Sequence, residues 1–242
     1  MDPTSVRLTV QTSDEDWFDA AFVDNWLQRQ GQRQPERLRQ YAMLRSLFPR
    51  KPTDEFRYID IACGDGALDE MLLTRFSNAQ ATLLDGSPAM VERAQERMQR
   101  FGDRVRVVQG DLATSGWLDA VTAPFDVAVS SIAIHNLEDP RLVRDLYRDI
   151  YGVMAEGGVF MNLEYVRSPS HGLWPYYTNS SSDPEAAWVM PIRSIRDYAG
   201  TVEEQLNWLR EAGFNPVDCF WKEFRLAIFG GFKGQVRIAD TR

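Results

Sequence analysis

The sequence predicts an α/β protein built on a doubly wound, mostly parallel sheet, and three observations carry that expectation. An apolar, β-rich run over residues 56–62 meets a turn containing Gly64 and Gly66. A helical pattern follows, with Leu68, Met71, Leu72 and Phe76 on one face. Beyond it, short apolar runs alternate with helical stretches as far as Glu164, which implies parallel neighbours joined by right-handed crossovers. Residues 214–221 and 225–232 then read as two strands joined tightly around Lys222 and Glu223, an antiparallel hairpin that brings the strand count to seven.

Each element follows from local chemistry. Residues 1–55 form a helical preface. Ser13-Asp-Glu-Asp16 is a capping signal for a helix carrying Trp17, Ala20, Ala21, Phe22, Trp26 and Leu27. A second helix runs from Pro35 through Leu38, Tyr41, Leu44 and Leu47 and stops before Pro49. The aromatic residues of this preface either pack onto the core or, for Trp17, Phe18 and Tyr41, face a substrate. Strands are expected at 79–84 and 105–109, with a helix at 88–100 whose first turn begins at Ser87. Residues 125–130 are rich in Val and Ala with no polar alternation, as a parallel strand covered on both faces should be. A helix at 139–154 is closed by Glu156-Gly-Gly158 before a strand at 159–164. Residues 167–200, with Trp174, Tyr176, Tyr177, Trp188 and Met190, break this rhythm. So long a connection in a compact domain is usually functional or mobile, and it is assigned as an inserted lid. Thr201-Val-Glu-Glu opens a capped helix that Gly213 ends. The expected organisation is a helical cap over 1–55 and one domain over 56–242 that carries the lid.

Composition narrows the function. With 242 residues and a formal net charge of −8, the chain lacks the basic balance that nucleic acid as main partner requires. No apolar run is long enough to span a bilayer, and the N-terminus lacks a signal-peptide pattern. Cys63 and Cys219 point to no disulfide framework and no metal cluster. The expected setting is the cytoplasm, with a homodimer left open.

The turn after the first strand is the most specific feature. A dinucleotide fingerprint read from Gly64 needs glycine or alanine where Asp69 stands, and a P-loop needs a lysine that the segment lacks. Instead Asp60, Gly64 and Gly66 resemble motif I of the class I S-adenosylmethionine (SAM) dependent methyltransferases, Asp-x-Gly-x-Gly-x-Gly, with Ala62 where the first glycine usually stands. The resemblance covers about residues 56–233. It implies a Rossmann-like, doubly wound seven-stranded sheet with the last strand antiparallel, SAM as cofactor and a small-molecule substrate.

It also implies roles for particular residues. Asp60 accepts from the methionine ammonium, while the helix starting at Gly66 suits the carboxylate. Asp85, at the end of the second strand and followed by Gly86, accepts from the ribose diol; the alternative is a helix cap ahead of Ser87-Pro88. Met90 packs on the adenine or belongs to the core. Asp111 and the Leu112 N–H read the adenine, unless Asp111 merely caps the short helix near Ser115. The segment from Ser130 and Ser131 to His135 is similar to the family's motif IV. Ser130 and Ser131 fall on the cofactor side, and His135 is the leading base or substrate contact; the alternative is a histidine that shapes the turn. His171 in the lid and Glu164 at the end of the fifth strand are the other catalytic candidates, Glu164 as an orienting group. Two further readings stay open at this point: another SAM-dependent reaction, and a SAM-binding module without turnover.

Overall fold

The computed structural model describes residues 17–31, 34–173 and 199–235. Helices α1 (Ala20–Gly31) and α2 (Gln34–Ser46) precede β1 (Arg57–Ile61), α3 (Ala67–Arg75), β2 (Gln80–Asp85), α4 (Pro88–Met98) and β3 (Val105–Gln109). After these come β4 (Phe125–Ser131), α5 (Pro140–Val153), β5 (Met154–Tyr165), α6 (Val202–Ala212), β6 (Val217–Glu223) and β7 (Leu226–Phe232). The seven strands form one sheet of order β3-β2-β1-β4-β5-β7-β6. β1 to β5 pair in parallel, and β7 runs antiparallel between β5 and β6. This is the doubly wound arrangement expected, with its last strand reversed.

The period-2 alternation of the strands sorts the core into two layers. Tyr58, Leu83, Val127, Val129 and Met161 pack with Tyr41, Leu44, Leu68, Leu72, Phe76 and Met98, under α2, α3 and α4. Ile59, Ile61, Leu84, Ala128 and Phe160 pack on the other face with Val143, Tyr147, Ile150, Trp208, Leu209 and Phe214, under α5 and α6. Gly230 lets β7 lie flat against β5, because a Cβ there would sit 1.9 Å from the Phe160 carbonyl oxygen. Among the described residues no helix is long and apolar enough to cross a membrane.

Three boundaries differ from the sequence reading. α1 begins later than the Ser13–Asp16 signal, which lies outside the described residues. Asp19 caps it, accepting from the Ala21 N–H at 2.9 Å, so Trp17 and Phe18 precede the helix. Glu156-Gly-Gly158 was expected to separate helix from strand, yet β5 starts at Met154 and runs through it. Gly157, at φ 78°, takes up extra residues where the β4–β5 register shifts between Phe125 and Val127. A glycine at positive φ inside a strand is a bulge, not a terminator. The hairpin turn falls at Phe224 and Arg225, not at Lys222 and Glu223, which remain paired in β6. α6 conforms fully. Thr201 and Glu204 form a reciprocal capping box, with Glu204 N–H donating to Thr201 Oγ1 at 3.2 Å and Thr201 N–H to Glu204 Oε2 at 2.7 Å, and Gly213 ends the helix at φ 112°.

Candidate active site

Strand order reverses between β1 and β4, and an open parallel sheet offers a crevice outside the strand ends at such a point. A pocket of ≈ 1010 Å³, counted to its open mouth, lies there. Its floor and walls include Asp60, Ala62, Gly64, Asp85, Gly86, Met90, Asp111, Leu112 and Ser131. Four separate loops thus bring nine of the predicted cofactor residues to one cavity. Gly66 and Ser130 are not among the residues that line it.

The motif I turn is shaped by its backbone. Ala62 has φ 59° and Gly64 φ 58°, both left-handed, a region that costs a residue with a Cβ roughly 1–2 kcal/mol. The usual glycine at position 62 therefore relieves backbone strain, and making room for ligand is a second matter. Ala62→Gly should change stability by less than about 1 kcal/mol, since relief of strain is offset by greater freedom of the unfolded chain; thermal unfolding checks this. At Gly64 an added Cβ would meet nothing within 4 Å, so the turn faces open space. Gly66, at φ 76°, begins α3, and its missing Cβ lets Met98 of α4 approach; its part is packing. Arg97 fastens the turn from α4, donating from Nε to the Asp65 carbonyl at 2.8 Å and pairing with the carboxylates of Asp65 and Glu70.

Asp85 joins the two loops. Its Oδ2 accepts from the Gly64 N–H at 2.8 Å and its Oδ1 from the Ser87 N–H at 2.9 Å. Burial pushes this carboxyl up and the backbone donors pull it back, leaving it above the usual carboxylate range. Capping of α4 falls to Ser87, whose hydroxyl accepts from the Met90 N–H at 3.4 Å. Asp111 accepts from the Ala113 N–H at 2.9 Å, whereas Thr114 caps the following turn, Ser115–Ala120. Met90 is 1% exposed and serves both core and pocket wall. Asp60 is 1% exposed, and its Oδ1 has no hydrogen-bond partner among the described residues. Ser131 lies beside the Tyr41 hydroxyl, while Ser130 spends its hydroxyl on the Ile61 carbonyl at 2.8 Å, a strand cross-link that corrects its expected place on the cofactor side.

Beside the pocket, the loop after β4 holds a second constellation. Ile132 leaves the strand at φ 53°, an unusual conformation for a β-branched residue, with its N–H on the Leu163 carbonyl at 2.7 Å. A 3-10 turn, Ile134–Leu137, follows. Buried Glu164 organises it: Oε2 accepts from the N–H groups of Ala133 at 3.2 Å and His135 at 3.1 Å. Its Oε1 accepts from the Tyr165 N–H at 2.6 Å and lies 2.7 Å from His135 Nδ1. A carboxylate surrounded by donors takes a proton-bearing Nδ1, which leaves Nε2 as the basic nitrogen of the neutral ring. Tyr165 meets the imidazole edge-on at 5.9 Å. His135 and Glu164 are not in the pocket lining themselves, but Ala133, Asn136 and Leu137 are.

Of the connection over residues 167–200, residues 174–198 lie outside the described residues, and with them Trp174, Tyr176, Tyr177, Trp188 and Met190. His171 opens a short turn, His171–Leu173, and its side chain is likewise outside them. The two ends of this connection are fastened together at the end of β5. The Arg167 N–H donates to the Gly200 carbonyl at 2.6 Å, and its guanidinium reaches Glu204 at 2.8 Å. A buried chain from Asn162 through Tyr147 and Gln205 ends on the Ala199 carbonyl at 2.6 Å.

Sequence reasoning gave Trp26 only a place on the first helix and did not name Arg37, and both line the pocket together with Trp17, Phe18 and Tyr41. Trp17 packs edge-on against Phe22 and Trp26 at 5.2 and 5.3 Å, and the Arg37 guanidinium lies 5.7 Å over the Tyr41 ring. The available signal was helical spacing, since Arg37 precedes Tyr41 by one turn of α2.

Fold and pocket define a class, a SAM-binding α/β transferase, and comparison with known proteins makes it definite. Residues 59–158 match the family model "Methyltransferase domain". The "Ubiquinone/menaquinone biosynthesis C-methyltransferase UbiE" of Cereibacter sphaeroides is 30% identical over 194 residues, 75% of this chain and 74% of that protein. A "Malonyl-[acyl-carrier protein] O-methyltransferase" of Paenibacillus sp. is 35% identical over 91 residues, 36% of this chain and 32% of that one. Among solved structures, "PigF with SAH" superposes with a TM-score of 0.66 at 18% identity, over 93% of this chain and 64% of that one. The apo methyltransferase SibL gives 0.64 at 20% identity, over 89% and 62%. The chain thus spans somewhat under two thirds of those solved chains. It belongs to the class I SAM-dependent methyltransferases of the small-molecule type.

Proposed function

We propose that the pocket holds SAM with its ammonium at Asp60, its ribose diol at Asp85 and its adenine between Met90, Asp111 and Leu112. The residues suit that molecule. Asp60 presents an unpaired buried oxygen, the turn at Gly64 opens onto free space, and Asp85 and Asp111 stand on successive strand ends. Bound there, SAM supplies an electrophilic methyl group to a nucleophile placed in line with it.

The acceptor is proposed to be a flat, hydroxyl-bearing small molecule, methylated on oxygen or on a carbon made nucleophilic by loss of the hydroxyl proton. Trp17, Phe18, Trp26 and Tyr41 give the pocket broad aromatic surfaces, which favour planar ligands. His135 takes the hydroxyl proton at Nε2, while Glu164 holds Nδ1 and steadies the imidazolium that forms. The observation that carries the reading is the pairing of half-buried His135 with buried Glu164, on the turn whose Ala133, Asn136 and Leu137 line the pocket. In the same reading the protein is cytoplasmic, in keeping with its two free cysteines, Cys63 and Cys219.

Incubation with methyl-labelled SAM and matched panels of phenols, hydroquinones and aliphatic alcohols tests it. Label should move to planar hydroxylated acceptors. Transfer confined to aliphatic acceptors, or to amines alone, would refute the acceptor assignment.

A further inference from the structure

Behind the pocket, the first layer of the core contains a group that methyl transfer does not explain. Asp69, in the first turn of α3, is 0% exposed, and it lies against Asp60 and Tyr58, whose side chains share one face of β1. The Tyr58 hydroxyl donates to Asp69 Oδ1 at 3.0 Å. The carboxyls of Asp60 and Asp69 are within hydrogen-bonding reach of each other. Neither Asp60 Oδ1 nor Asp69 Oδ2 has a donor from any other described residue. Two buried carboxylates in contact cannot both be ionised without a cation beside them, and in the free protein a proton between them is what satisfies both. Only Asp60 of the two reaches the pocket.

We propose that Asp60 and Asp69 share one proton in the free protein, and that the arriving cofactor ammonium takes its place. Asp69 is then a positioning residue: it touches no ligand but sets the charge that Asp60 offers. The inference rests on the placement of SAM proposed above. The exchange balances simply. The ammonium brings one positive charge to Asp60, the shared proton leaves to solvent, and the pair carries two negative charges, one facing the ammonium and one held by Tyr58.

Burial pushes both carboxyls up, and Asp69 raises Asp60 further, whereas the hydrogen bonds from Asp60 and Tyr58 pull Asp69 back to about 7. The titratable and charged groups around the pair are Tyr58 on β1, Cys63 and Asp65 in the turn, Asp85 on β2, and Arg37 and Tyr41 on α2, with Arg104 acting on Tyr58. Asp65 is neutralised by Arg97, and Asp85 faces the ribose. The free pair holds its proton more tightly than the complex does, so affinity must rise with pH. The slope reaches at most about tenfold per pH unit for one proton released.

Calorimetric titration at neutral pH in buffers of different ionisation enthalpy reads the proton directly. S-adenosylhomocysteine should release up to about one proton per site. Methylthioadenosine has the same adenosine but no ammonium, so it should release none; it also subtracts any contribution from Asp85. The ligand's own amino group would take protons up on binding, so it cannot imitate the effect. Asp69→Asn keeps the side chain's shape and an acceptor for Tyr58. It should bind methylthioadenosine normally, bind S-adenosylhomocysteine without proton release, and lose the pH slope. Binding of both ligands without differential proton release would overturn the shared-proton inference while leaving the cofactor site standing. Failure of both ligands to bind the wild type would overturn the site and this inference together. An unchanged proton release in Asp69→Asn would remove Asp69 from the role.

Discussion

His135→Ala should lower kcat by about 10²–10⁴-fold, the usual worth of a positioned general base, while SAM affinity stays within a few-fold of wild type. The two readouts separate because His135 sits on the turn after β4, whereas the proposed SAM contacts come from the ends of β1, β2 and β3. Wild-type kcat should fall on the acid side as the imidazole becomes protonated, and the variant should lose that limb. Glu164→Gln should also be slow, for a different reason. Glu164 is surrounded by the N–H groups of Ala133, His135 and Tyr165, so the amide's NH₂ must turn toward one of these donors and disturb the turn. A loss confined to KM, with the pH profile intact, would reduce His135 to a substrate contact. Turnover near wild type in His135→Ala would remove it from the mechanism altogether.

This pair marks where sequence stops being enough. His135 and Glu164 were each legible as candidates because both follow strands whose C-terminal ends face the crevice. Their contact depends on register: Ser131 pairs with Leu163, which sets the turn after β4 beside the last residues of β5. Asp85 and Asp111 were legible as candidates for a simpler reason: Asp85 is the last residue of β2 and Asp111 falls two residues beyond β3, both at the carboxyl edge of the sheet. Asp69 was hidden. In Ala67-Leu-Asp-Glu-Met71 it reads as an ordinary acidic residue in a helix's first turn, favourable to the dipole and solvated. Only the packing of α3 against β1 shows it fully buried. Ser130 misled in the opposite sense, because adjacent residues of a strand point to opposite faces and only Ser131 enters the pocket. Glu156-Gly-Gly158 misled because a glycine pair that ends a helix and one that bulges a strand look alike in sequence.

Asp85→Ala should weaken SAM binding by about 10- to 150-fold, and the structure gives two independent reasons. As the proposed ribose partner, the carboxylate would accept charge-assisted hydrogen bonds from the diol, worth about 1.5–3 kcal/mol once made in a buried site. It also holds the motif I turn in place from β2, through the Gly64 N–H at 2.8 Å. Removing the carboxylate strands that donor and takes one anchor from a turn with left-handed Ala62 and Gly64, leaving Arg97 and the Cys63–Leu84 backbone bond to hold it. The two contributions can be told apart. Asp85→Asn retains one acceptor oxygen, enough for the Gly64 N–H, but loses the charge and half of the acceptor capacity. If ribose binding dominates, Asn and Ala should weaken SAM about equally, and a ligand without ribose hydroxyls should bind all three proteins alike. If holding the turn dominates, Asn should recover most of the loss, and Ala should be the less stable protein on heating even without ligand. Calorimetric titration with SAM, together with thermal unfolding of the three proteins, decides between them. Affinity unchanged in Asp85→Ala would move the ribose elsewhere and with it the whole proposed orientation of the cofactor.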